Sequence, residues 1–264
     1  MEDTTNNSNS ISVVLKPSYI SSIENASKQF RLFWKSLFLV AVTNTIVGHI
    51  LQIPTYLGLF KLETSSTTIN GWNFLYQFII MLISLTLSYG YALATLKAAR
   101  GEKPLIIDLF RPFKKFVTVV FSFILLSLII VFSFLLLIIP GVFFSCRLAF
   151  VPYLVIDQNK GVFGAVGGSW KISKGHFWKI FLLSLTVVVI MVALLLIYIL
   201  VPSLSGGGNI FSGNVSSMWV YQLIFAVIYL PTGIFIFLII GSLYHAITHN
   251  ITIEKEASNL NVNV

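Results

Sequence analysis

The sequence predicts an all-α protein, a polytopic transmembrane bundle of about six spans, and three observations predict it. Hydrophobic residues make up 56% of the chain and charged residues only 10%, with a mean hydropathy of +0.90; in soluble domains about a quarter of residues are charged. Long, nearly uncharged runs alternate with short loops. The cations gather in two of those loops: Lys97, Arg100, Lys103, Arg111, Lys114 and Lys115 in one, and Lys160, Lys171, Lys174 and Lys179 in the other. Lys and Arg near helix ends resist translocation, so both loops are expected in the cytoplasm.

Residues 1–29 are rich in Asn, Ser and Thr without an apolar run after a basic start, so they are expected to be a disordered cytoplasmic tail and not a cleavable signal. A single transmembrane domain is expected over 30–250. The first span, 36–60, is long enough at ~1.5 Å per residue to cross a ~30 Å hydrocarbon core, and Trp34 and Tyr56 fall near its ends. Spans 72–98 and 116–139 follow, and the six-cation loop between them points inward. A break is expected at Pro140-Gly141, with a fourth apolar stretch at 142–156. That stretch is short for a span, yet the basic loops on both sides of 116–156 require an even number of crossings; a re-entrant hairpin satisfies the same condition.

Residues 161–174 read as a short amphipathic helix along the inner surface, with Val162, Phe163, Val166 and Trp170 on one side and Lys171 and Lys174 as basic partners. The fifth span is 177–201, followed by an uncharged outer loop. The sixth, 216–248, contains Pro231, which removes a backbone donor and is expected to bend it. Residues 251–264 form a cytoplasmic tail. Both termini are thus placed inside.

Arg147 is the formal charge that lies well within an apolar run, and an ionisable residue there calls for a functional hypothesis. Its structural reading is a guanidinium that snorkels to head groups or bonds carbonyls freed at the Pro140 break; its functional reading is an anion or lipid-phosphate contact. The same contact is assigned as a hypothesis to Lys97, Arg100, Lys103, Arg111, Lys114, Lys115, Lys171 and Lys174, as basic loops meet anionic head groups. Polar stripes occur on the first two spans: Thr45, His49, Gln52 and Tyr56, then Gln77, Ser84, Ser88, Tyr91 and Thr95. They serve interhelical hydrogen bonding or line a hydrated path.

His245 and His249 stand four residues apart on one helix face, a weak metal pair with no Glu after His245 and no third ligand evident. Gly206-Gly207-Gly208 lacks the Lys-Ser/Thr of a phosphate loop. Asp108 and Asp157 are placed to cap the segments that follow them. No catalytic residue set, cofactor or nucleic-acid partner is expected, and the one cysteine, Cys146, excludes an intramolecular disulfide.

Two blocks carry a family resemblance: Arg100-Gly101-Glu102-Lys103-Pro104 with Asp108-Leu109-Phe110 and Phe113-Lys114-Lys115-Phe116, then Ile139-Pro140-Gly141 with Arg147-Leu148-Ala149-Phe150, Ser169-Trp170-Lys171 and Lys174-Gly175-His176-Phe177-Trp178-Lys179. Together these resemble uncharacterised prokaryotic multi-pass proteins related to the membrane domain of glycerophosphoryl diester phosphodiesterases. The resemblance implies a prokaryotic cytoplasmic membrane and a helical fold with a Pro-Gly break. Catalysis in those enzymes belongs to a separate soluble domain, so no hydrolase activity is carried over. The leading expectation is a non-enzymatic membrane protein that engages anionic lipid at the cytoplasmic face and organises a protein partner or a second copy of itself. A small transporter or permease component with a polar path between helices is the alternative, and a membrane enzyme the third reading.

Overall fold

A computed structural model describes residues 17–57, 71–204 and 215–262. The expectations for residues 1–16 and for the two outer loops, 58–70 and 205–214, lie outside the described residues. Eight α-helices follow one another: α1 (Tyr19–Tyr56), α2 (Gly71–Ala99), α3 (Phe116–Leu136), α4 (Ile138–Leu148), α5 (Val151–Ile156), α6 (Val162–Ser173), α7 (Phe177–Leu204) and α8 (Val215–Val262). Two 3-10 turns, Ile106–Leu109 and Arg111–Lys115, join α2 to α3, and the described residues contain no strand. Six stretches are long and apolar enough to cross a membrane, including Ile138–Ile156. The expected polytopic helical bundle is therefore present.

α1 starts at Tyr19, well before the expected boundary, which corrects the reading of residues 19–29 as part of a disordered tail. Ser21 Oγ accepts the Ser18 backbone N–H at 3.3 Å at the start of the helix. Ala26 is fully buried, Phe30 meets Phe235 edge-on, and Asn25 Nδ2 donates to the Ala99 carbonyl at 3.0 Å and Ser242 Oγ at 3.1 Å. The run Ile23, Ala26, Phe30 keeps one helix face apolar, and burial against α2 and α8 offsets the ordering of a polar segment. A non-helical Phe33 (φ −112°, ψ 16°) separates this extension from the apolar run.

α1, α2 and α8 make the principal core. α2 presents Ala92, Ala94, Ala98 and Ala99, all buried, toward Leu37 and Val40 of α1 and Leu238, Leu243 and Ile247 of α8. Small side chains let helix backbones approach closely where lipid gives no hydrophobic drive to associate. The closest approach involves Gly90, where an added Cβ would strike the Leu109 carbonyl. That glycine seats the basic loop against α2.

The hairpin of α3 and α4 turns at Leu137, which is fully extended (φ −167°, ψ 154°), three residues before the expected Pro140 break. Proline is tolerated in the first turn of a helix, where its missing N–H has no partner to lose, but its ring excludes the preceding turn. Pro140 therefore sits inside the start of α4, and the chain bends upstream. A second break, not expected from the sequence, divides 138–156 at Ala149–Phe150. Pro152 causes it, since it has no N–H to offer the Leu148 carbonyl.

α6 covers that break. Its buried face is Ala165, Ser169 and Ser173, at helical spacing, whereas Phe163 is 81% exposed. Ser169 Oγ accepts the Phe150 N–H at 3.3 Å and donates to the Arg147 carbonyl at 2.8 Å; Ser173 Oγ lies 3.2 Å from the same carbonyl. α8 runs through Pro231 to Val262, so residues 251–262, expected as a tail, are helical.

Candidate functional site

Three of the eight loop cations predicted to meet lipid, Lys97, Arg100 and Arg111, are held by carboxylates that sequence reasoning had read as caps. Asp108 is fully buried; its carboxylate takes Lys97 Nζ at 2.7 Å and Arg111 Nε at 3.1 Å, and its second oxygen accepts the Leu105 N–H at 3.0 Å. It thus caps the 3-10 turn as expected and also anchors two cations. Asp157 accepts both ends of the Arg100 guanidinium, each at 2.7 Å, the bidentate fork that makes Arg–carboxylate pairs directional. Tyr244 Oη donates to the same carboxylate at 3.1 Å, and Gln158 Nε2 donates to that hydroxyl at 3.1 Å. The buried Tyr244 ring stacks on Tyr153. These contacts tie the end of α2, the end of α5 and α8 into one unit.

Burial works against the Arg100 charge, and the Asp157 hydrogen bond and negative charge more than compensate, raising its pKa above the ordinary arginine value. Lys115 Nζ reaches Asn159 Oδ1 at 2.6 Å. Asn159 is held at φ 53°, a left-handed conformation that Asn tolerates better than most residues. Lys103, Lys114, Lys171 and Lys174 form no ion pair among the described residues.

Between these groups lies a cavity of about 510 Å³. Its lining includes the cations Lys97, Arg100, Arg111, Lys114 and Lys115 and the apolar residues Leu93, Val119, Val155 and Ile156. Glu102 and Asp157 also line it, and Asp108 holds two of those cations. After these three carboxylates are set against the five cations, a surplus of two positive charges faces the cavity. A basic recess bordered by apolar helix ends attracts anions and accommodates acyl or other apolar matter beside them.

Arg147, on α4, is not a lining residue of this cavity. Its guanidinium lies against two rings that meet edge-on, Cζ standing 5.2 Å from the Phe143 centroid and 5.3 Å from that of Trp170. It bonds none of the carbonyls freed at the helix breaks: Nε and Nη1 are buried without a hydrogen-bond partner. At the Ala149–Phe150 break it is Ser169 and Ser173 that bond a carbonyl, that of Arg147 itself. The His245 and His249 rings are 5.7 Å apart, and no group of three His, Cys, Asp or Glu side chains fit to hold a metal occurs among the described residues.

Three hydroxyls of the polar stripes turn onto their own helices: Thr45 donates to the Ala41 carbonyl, Ser88 to Leu85 and Thr95 to Tyr91 and Ala92. Gln77 Nε2 instead donates across to Thr55 Oγ1 of α1 at 3.2 Å. Tyr91 packs edge-on against Phe237.

Six apolar helices in an all-helical bundle, with basic loops between them, define an integral, multi-pass membrane protein. Over 98 residues the chain is 29% identical to a UPF0259 membrane protein of Pectobacterium carotovorum, a match that covers 37% of this chain and 35% of that protein's length. No family model matches, and no solved structure does. This likeness points toward an uncharacterised prokaryotic membrane family, and nothing in the comparisons supports the link to glycerophosphoryl diester phosphodiesterase membrane domains.

Proposed function

We propose that this protein is a non-enzymatic component of a prokaryotic cytoplasmic membrane, with both termini inside, that holds the phosphate head group of an anionic lipid in the basic cavity and organises a protein partner or second copy around it. The observation that supports the reading is the mixed lining of the cavity: five cations together with apolar residues of α2, α3 and α5. A soluble anion needs only the cations, whereas a lipid uses both. Three hydroxyls of the polar stripes turn onto their own helices, which favours packing over a solute path.

Native mass spectrometry of protein released from gently extracted membranes tests this. Retained anionic lipid that is lost in Lys114→Gln/Lys115→Gln is the expected result. A discrete small-molecule adduct without lipid preference overturns the reading in favour of a transporter or an enzyme.

A further inference from the structure

Arg147 presents a separate problem in recognition. Rings above a guanidinium face satisfy its charge through π-electrons, but they offer no acceptor to the N–H groups, which point outward in the guanidinium plane. Nε and Nη1 are buried and unpartnered, no carboxylate pairs with this residue among the described residues, and Arg147 and Phe143 belong to a candidate span. Water-deprived N–H donors on a charged group are costly to leave unmade. An oxyanion in the plane of the fork supplies both the missing acceptors and a counter-charge, which is the geometry of a phosphate or carboxylate.

The surroundings narrow the source. Trp170 is 40% exposed and Phe163 on the same helix 81%, so the outer face of α6 is apolar and aromatic, as suits a surface against lipid near the head groups. Lys171 and Lys174 follow immediately and are exposed. An acyl chain can therefore lie along α6 with its phosphate above Trp170, whereas a soluble anion gains nothing from the apolar face.

We propose that Arg147, walled by Phe143 and Trp170, is a phosphate-oxyanion site on the α4–α6 face, distinct from the basic cavity, and that the phosphate belongs to an anionic phospholipid. The proposal does not depend on the cavity being occupied.

The test uses the full chain in lipid nanodiscs with Trp34, Trp72, Trp178 and Trp219 changed to Phe, leaving Trp170 as the sole tryptophan, excited selectively over the tyrosines. Brominated phosphatidylglycerol or brominated phosphatidylcholine then reports which lipid sits against it. Quenching by the anionic lipid is expected at an apparent affinity about tenfold tighter, the size of a charge-assisted hydrogen-bond preference. Arg147→Gln should abolish the preference, and Arg147→Lys, which keeps the charge but not the planar donors, should lower it to an intermediate value. Lys114→Gln/Lys115→Gln should leave it intact, so the failure of one site is separable from the failure of the other. Equal quenching by the two lipids, or a preference that survives Arg147→Gln in folded protein, overturns the proposal. Inorganic phosphate titrated into discs without anionic lipid should leave Trp170 emission unchanged; a shift that requires Arg147 overturns the lipid source in favour of a free anion.

Discussion

Asp108→Asn separates the structural from the recognition role of the basic loop, because it moves stability and anion binding in opposite directions. The substitution keeps an oxygen for the Leu105 N–H and removes the charge that holds Lys97 and Arg111. The two partners differ in what they lose: the Lys97 side chain is 16% exposed and that of Arg111 51%. Removing one partner of a buried pair costs about 3–5 kcal/mol, while an exposed pair contributes about 0–1 kcal/mol. Lys97 borders the cavity and can turn its ammonium toward it, so the lower figure applies, about 3 kcal/mol in total. At about 2–4 °C per kcal/mol for a chain of this size, the melting temperature should fall by about 6–12 °C. Meanwhile one negative charge leaves the edge of the cavity. Near a surface each added unit of positive charge is worth about 1 kcal/mol toward an anionic lipid, about fivefold in affinity. Scanning fluorimetry in a single detergent and native mass spectrometry of the same preparation read both effects. A melting shift under about 2 °C, or lipid retention that falls with stability, refutes the reasoning.

Gly90→Ala should destabilise by about 1–2 kcal/mol, overpacking against the Leu109 backbone outweighing a helix-propensity gain of about 1 kcal/mol, whereas Gly48→Ala, with nothing within 4 Å, should leave stability equal or higher; the two melting curves decide it. Ser169→Ala should cost about 1–3 kcal/mol because it strips partners from both the Phe150 N–H and the Arg147 carbonyl, and a double-mutant cycle with Ser173→Ala should show coupling through that shared carbonyl. Tagless protein should carry less than about a tenth of an equivalent of zinc by elemental analysis, since two histidines without a third ligand make a poor site. For topology, single cysteines at Ser65 and Ser205 in a Cys146→Ser background should label from outside the cell and one at the exposed Lys174 should not; reversed labelling would sink the proposed orientation.

The number and order of the crossings were legible in the sequence because apolar length and cation placement are one-dimensional signals. The lapses share a cause, which is that their decisive partner lies far along the chain. Residues 19–29 looked like tail because their composition is polar, yet Asn25 is ordered by Ala99 and Ser242. The spacing of Ile23, Ala26 and Phe30 was the available signal. Pro152 announced the break at Phe150 as plainly as Pro140 announced the hairpin, but inside an apolar run it was passed over. The cations were found and their carboxylate partners were not: Asp157 meets Arg100 from 57 residues away, a separation no spacing rule reaches. Arg147 was singled out correctly as unusual, while its ring walls could not be foreseen, since Trp170 joins it only through the fold.

The hydroxyls of α6 that bridge the Pro152 break also impose an order on biosynthesis. When residues 138–156 leave the ribosome, the Phe150 N–H and the Arg147 carbonyl have no partner within their own segment, and such groups are expensive in lipid. The partner that completes them, Ser169, is made 19 residues after Phe150. The fourth apolar stretch therefore stays unfinished until α6 has emerged and docked, and α6 acts as a splint added after the segment it completes.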